Sequence, residues 1–194
     1  MFFKMFFRFR AFGRENFPKE GAVIVAPNHA SFLDPIIVGV AAPRKMNYLA
    51  RDTLFKHRPF AKILQWVHVS PIRREAGDMN AFKLALTKLS DGEPVLIFPE
   101  GTRSQDGNLQ EPKPGIGFLE KTSGAKILPC YVKGSRDAWP RHSRFPRVSP
   151  VSVYFGKPLR FENLSANRRE RYVQVVEVVM KAIAGLKRDA SQSS

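Results

Sequence analysis

The sequence predicts a single α/β domain with a mixed, largely parallel central sheet flanked by helices. Three observations carry that expectation. Short apolar runs such as AVIVA at 22–26 and VLIF at 95–98 are too short for helices and read as buried strands. Longer stretches with apolar residues at helical spacing, 78–92 and 166–187, alternate with them. Two of the strands run directly into polar motifs, the place where α/β sheets hold ligands.

Taken in order, residues 14–21 form a polar turn containing Pro18 and Gly21, and the strand at 22–26 follows. NHASFLDP at 28–35 comes next, then an apolar helix ending near Pro43. Residues 46–50 read as a further strand. Residues 52–67 interleave Leu54, Phe55, Phe60, Ile63, Leu64, Trp66 and Val67 with basic side chains. Two readings stay open there: amphipathic helices with solvated charges, or a surface that meets lipid. HVSPIRR at 68–74 is a strand leading to Arg73 and Arg74. Asp78 caps a helix with Phe82, Ala85, Leu86 and Leu89 on one face, closed by Gly92. The strand at 95–98 enters PEGTRS, a short helix at 115–123 stops at Gly124, and 127–132 is a strand. Residues 133–147 read as a loop rich in Arg, Pro and aromatics. A strand at 151–155 and a long helix from about 166 to 187 complete the pattern.

Composition bounds the partners. With 194 residues, 43% apolar and 11% aromatic, the chain suits one domain with a real core. Its 32 basic and 17 acidic residues give a net charge of +15, which implies an anionic partner: nucleic acid, a membrane surface or an acidic carrier. The single cysteine, Cys130, excludes an intramolecular disulfide and a cysteine-rich zinc site. No run approaches the ~20 apolar residues of a spanning helix. In MFFKMFFRFRAF, Lys4, Arg8 and Arg10 interrupt what would be the apolar region of a signal peptide, so the segment is expected to be retained. It reads either as a bilayer-interface segment or as an edge element packed on the core. The expected organisation is an interface segment at 1–12, the domain at 13–187 and a disordered tail at 188–194.

Function centres on two motifs. In NHASFLDP, His29 and Asp34 flank four residues; an imidazole beside a carboxylate is a general base whose orientation its partner fixes. No serine nucleophile is evident, which points to a hydroxyl carried by the substrate. Ser31 and Asp34 also have capping-box spacing, and Asp34-Pro35 the look of an N-cap followed by proline, so a structural role for Asp34 stays open. In PEGTRS at 99–104, Arg103 can hold a phosphate bidentately, Thr102 can add a donor, and Gly101 permits close approach. A tight turn with Glu100 paired to an arginine is the alternative.

NHASFLDP and FPEGTRS, in that order and about 70 residues apart, closely resemble the two main motifs of the glycerolipid acyltransferases, specifically the 1-acylglycerol-3-phosphate acyltransferases. The resemblance runs from about residue 9 to 161. It implies that His29 is the general base and Asp34 its orienting partner. It also implies that Arg74, Glu100, Gly101 and Arg103 bind the acceptor's glycerol phosphate, where Thr102 is the added donor read from the residues, and that Pro129 lies near the acyl donor. His68 departs from the family's usual glycine, Arg73 precedes Arg74, and the family's frequent N-terminal spanning helices have no counterpart.

The resulting expectation is transfer of an acyl chain from acyl-coenzyme A or acyl-carrier protein to the free hydroxyl of 1-acylglycerol 3-phosphate, giving phosphatidic acid. A thioester is already activated, so no metal or prosthetic group is expected. Anionic membrane lipids are the expected surface partner and the cytoplasmic face of a membrane the expected location, with peripheral attachment. Nucleic acid is not expected: no RNP, zinc-finger or helix-turn-helix signature occurs. The rivals are the same chemistry on another lysolipid, and a non-enzymatic basic protein that binds membrane or nucleic acid. Oligomeric state has no signal in the sequence. Cys130 reads as a buried thiol and His57, His68 and His142 as surface or packing residues.

Overall fold

The computed structural model describes residues 8–51, 69–72, 77–140, 143, 145–162 and 164–192. Its strands are β1 (Arg10–Phe12), β2 (Val23–Pro27), β3 (Asn47–Arg51), β4 (Val69–Ile72), β5 (Pro94–Leu96), β6 (Lys126–Lys133) and β7 (Ser152–Phe155). They form a seven-stranded sheet in the order β1-β7-β6-β2-β5-β3-β4. Every pairing is parallel except β6 with β7. The expected mixed, largely parallel sheet is therefore present. Its helices are α1 (Asp34–Ala41), α2 (Gly77–Ser90), α3 (Gly115–Ser123), α4 (Ser135–Ala138) and α5 (Arg168–Gln192).

Strand β2 is buried along its whole length because helices cover both faces of the sheet. Val23 and Val25 join one apolar cluster with Leu33, Ile37 and Val38 of the α1 side, and with Leu128, Cys130 and Phe155. Ile24 and Ala26 join the other, with Ala85 and Leu89 of α2, Ile116 and Leu119 of α3, and Val176, Val179 and Ile183 of α5. The period-two alternation of a strand thus delivers one residue to each core in turn. Helices α3 and α5 approach closely at Gly117, where an added Cβ would lie 2.7 Å from the Tyr172 Cα. Nearby, the Arg171 guanidinium bonds both Glu120 oxygens at 3.1 Å.

Several elements differ from expectation. Strand β5 stops at Leu96, although the Ile97 N–H still donates to Val25 O at 2.9 Å. Residues 133–147, expected as loop, contain α4. The tail expected to be disordered from 188 is helical to Gln192: Ala190 is fully buried, and its carbonyl accepts from Lys133 Nζ at 2.8 Å. Of the expected interface segment, Arg10–Phe12 form an edge strand on β7, and residues 1–7 lie outside the described residues. The stretch 52–67, His57, His68, His142, Arg73 and Arg74 also lie outside them. No helix among the described residues is long and apolar enough to cross a membrane.

Candidate active site

The site sits beyond the C-terminal ends of β2, β5 and β6. Leaving β2, the chain turns into α1, and His29 Nδ1 lies 2.9 Å from Asp34 Oδ2. The same oxygen accepts from the Ala30 and Ser31 backbone N–H groups at 2.7 Å each. Asp34 is fully buried, while the His29 side chain keeps 16% exposure. An oxygen already accepting twice makes Nδ1 the donor, which leaves the Nε2 lone pair for a ligand. The bond from Ser31 N–H to Asp34 is half of the expected capping box; the Ser31 hydroxyl itself accepts from Leu33 N–H and donates to Trp139 O. The N-cap alternative fails, since α1 begins at Asp34 and no side chain caps it. One carboxylate oxygen therefore shapes the turn and aims the imidazole.

The loop after β5 grips the same turn. Glu100 is 1% exposed; Oε1 accepts from His29 N–H and Oε2 from Gln110 N–H, both at 2.9 Å. Ser104 N–H donates to His29 O at 2.7 Å. Both polar groups of the His29 backbone are thus held by residues 100–104. Both Glu100 oxygens, expected to meet the acceptor's phosphate, are turned inward onto backbone amides. Burial pushes this carboxyl above the ordinary range, partly offset by those amide bonds. Phe98, freed by the early end of β5, stacks on the imidazole with ring centroids 3.7 Å apart and planes 16° from parallel.

Cations line the rim. The Arg103 guanidinium lies 3.5 Å above the Phe32 ring, and Phe32 is 5.9 Å from Trp139. Gly101 has φ +64, and an added Cβ would lie 2.9 Å from Lys113 Cδ, so a lysine stem runs over it. Thr102 is exposed beside them. Pro129 is buried in β6 opposite Ala26, and its carbonyl accepts from Gly156 N–H at 2.9 Å. Cys130 is likewise interior, and burial raises its thiol well above the usual range. The sequence reading missed Phe98, Phe32, Ser104, Gln110 and Lys113 as site residues. The available signal was membership of the first motif for Phe32, membership of the second for Phe98 and Ser104, and proximity to the second for Gln110 and Lys113.

The acyltransferase family model matches residues 8–133, well over half of the chain and inclusive of every residue just described around His29, Trp139 excepted. A 1-acyl-sn-glycerol-3-phosphate acyltransferase of Bacillus subtilis is 26% identical over 188 residues, covering 94% of this chain and 90% of the relative. One from Cocos nucifera is 24% identical, covering 86% of this chain; the chain spans 58% of that relative's length. The crystal structure of the 1-acyl-sn-glycerophosphate (LPA) acyltransferase from Thermotoga maritima superposes with a TM-score of 0.75 at 25% identity, covering 92% of this chain and 72% of that one. The chain belongs to the acyltransferase family.

Proposed function

We propose that the chain transfers an acyl group from an acyl thioester, acyl-coenzyme A or acyl-carrier protein, to the free hydroxyl of 1-acylglycerol 3-phosphate, forming phosphatidic acid. The observation that carries this is the His29–Asp34 pair, which leaves Nε2 for a ligand, with no nucleophilic side chain bonded to the imidazole among the described residues. The Ser31 and Ser104 hydroxyls donate to Trp139 O and Asp106, and Cys130 is buried. The hydroxyl to be activated therefore comes with the substrate.

In this mechanism Nε2 takes the acceptor's hydroxyl proton as its oxygen attacks the thioester carbonyl. Asp34 stabilises the imidazolium that results. The tetrahedral oxyanion collapses, the C–S bond breaks, and the departing thiolate takes the proton from Nε2. No metal or prosthetic group is required. Arg103 and Thr102, with Lys113 over Gly101, supply the anion-binding rim for the acceptor's phosphate; Arg74 is assigned there from its sequence position alone. The net charge of +15 suits attachment at an anionic membrane surface, where the lipid substrate resides.

The test is acyl transfer in lipid vesicles with both thioesters and a panel of lysolipids. Wild type should convert lysophosphatidic acid, and His29→Ala should lower the rate about 10²- to 10⁴-fold. His29-dependent transfer that prefers another lysolipid would refute the acceptor and keep the chemistry. No transfer from either donor would refute the reaction.

A further inference from the structure

We propose that residues 145–150 (FPRVSP) are a membrane-insertion loop that docks the chain on an anionic bilayer beside the mouth of its active site; this rests on the reading that the acceptor is a membrane lipid. Phe145 and Val148 are each 68% exposed, the highest exposure among the large apolar side chains described. Single exposed apolar residues are ordinary, so their setting decides the matter. Arg147 lies between them and Arg136 is exposed nearby, while Pro146 and Pro150 are exposed as well. The sequence adds Arg141 and Arg144 just upstream. At its far end the loop meets the basic start of the chain: Arg10 N–H donates to Val151 O at 3.1 Å, and the exposed Phe12 stacks on Tyr154 at 4.8 Å. Apolar tips within a basic collar are the composition of a segment that seats in the headgroup layer of anionic lipid.

The loop is also braced. Arg147 N–H donates to Ala138 O at 2.6 Å, Trp139 Nε1 to Ser143 O at 2.9 Å, and the Ser143 hydroxyl to Phe145 O at 2.8 Å. Its brace leads to the site, because Trp139 O accepts from Ser31 and the Trp139 ring neighbours Phe32, over which Arg103 lies. A lipid entering at Phe145 would therefore meet the rim cations without leaving the interface. The exposed apolar residues of α5 differ in setting: Val178 follows Glu177 on the opposite side of the sheet, where an acidic neighbour disfavours anionic lipid.

Cys130 is fully buried, so an introduced surface cysteine can be labelled selectively. Phe145→Cys and Val178→Cys would each carry an environment-sensitive fluorophore and be mixed with vesicles of phosphatidylcholine alone or with 30 mol% phosphatidylglycerol, the last a chosen condition of about physiological charge density. The expected result is a blue shift at 145 with the anionic vesicles and none at 178. Equal shifts at both positions, or none at 145, would overturn the proposal. A shift at 145 with acyl-carrier protein and none with vesicles would overturn it in favour of a protein partner. In the unlabelled chain, Phe145→Ser with Val148→Ser should cut co-sedimentation with anionic vesicles about tenfold while circular dichroism stays unchanged; unaltered sedimentation would also overturn it. These readouts need no turnover. Insertion without product would leave the loop standing and sink the proposed reaction, and turnover with no insertion at 145 would do the reverse.

Discussion

Glu100→Gln separates positioning from ligand binding. Glutamine keeps an acceptor for His29 N–H but turns its NH2 toward Gln110 N–H. A positioning residue should lose about tenfold or more in kcat with little change in the acceptor's KM; a phosphate ligand would chiefly raise KM. The titration gives a second readout. Burial raises the Glu100 carboxyl, so the folded chain holds that proton to higher pH than the unfolded chain. The group's contribution is then fully present below the ordinary carboxylate value and falls as pH rises through the raised one. The melting temperature of wild type relative to Glu100→Gln should accordingly increase as pH is lowered from 7 toward 4, and a flat difference would refute this. Asp34→Asn should cost about 10² or more in kcat, because an amide can present its NH2 to Nδ1 and select the wrong tautomer. His29 and Asp34 were legible because their chemistry runs between side chains at fixed spacing. The amide partners of Glu100 were not legible, because backbone groups leave no trace in a motif.

Close approach and loop electrostatics set the behaviour of single elements. Gly117→Ala would drive a methyl against Tyr172 backbone, which no rotamer relieves, so a loss of about 2 kcal/mol is expected. In a domain of this size that lowers the melting temperature by about 4–8 °C, measurable by calorimetry. In the loop after β5, Asp106 accepts from Asn108 and Ser104, which hold its carboxyl down to about 2. Its contribution is present above the ordinary Asp value and disappears as pH falls through about 2. The gap in melting temperature between wild type and Asp106→Asn should shrink over that range. Helix α3 was legible to the residue because Gly124 adopts φ +65 and ends it, with its N–H donating to Glu120 O. Helix α4 was hidden, since four residues carry no periodicity. The end of α5 was hidden too, because the contact that orders it comes from Lys133, far away in sequence.

At the scale of the molecule, the fold class was legible and the strand order was not. Local apolar runs announce strands, whereas the insertion of β5 between β2 and β3 is decided by which faces the helices cover. The same long-range pairing governs β1, which finds its ladder on β7: Arg10 stands opposite Ser152, about 140 positions later in the chain. The first strand made must wait for the last. At translation rates of ~5–20 residues per second, the β1 segment is made on the order of 10 s before the β7 segment on which it pairs. For that interval its backbone N–H and C=O groups lack their ladder partners and are open to chaperones.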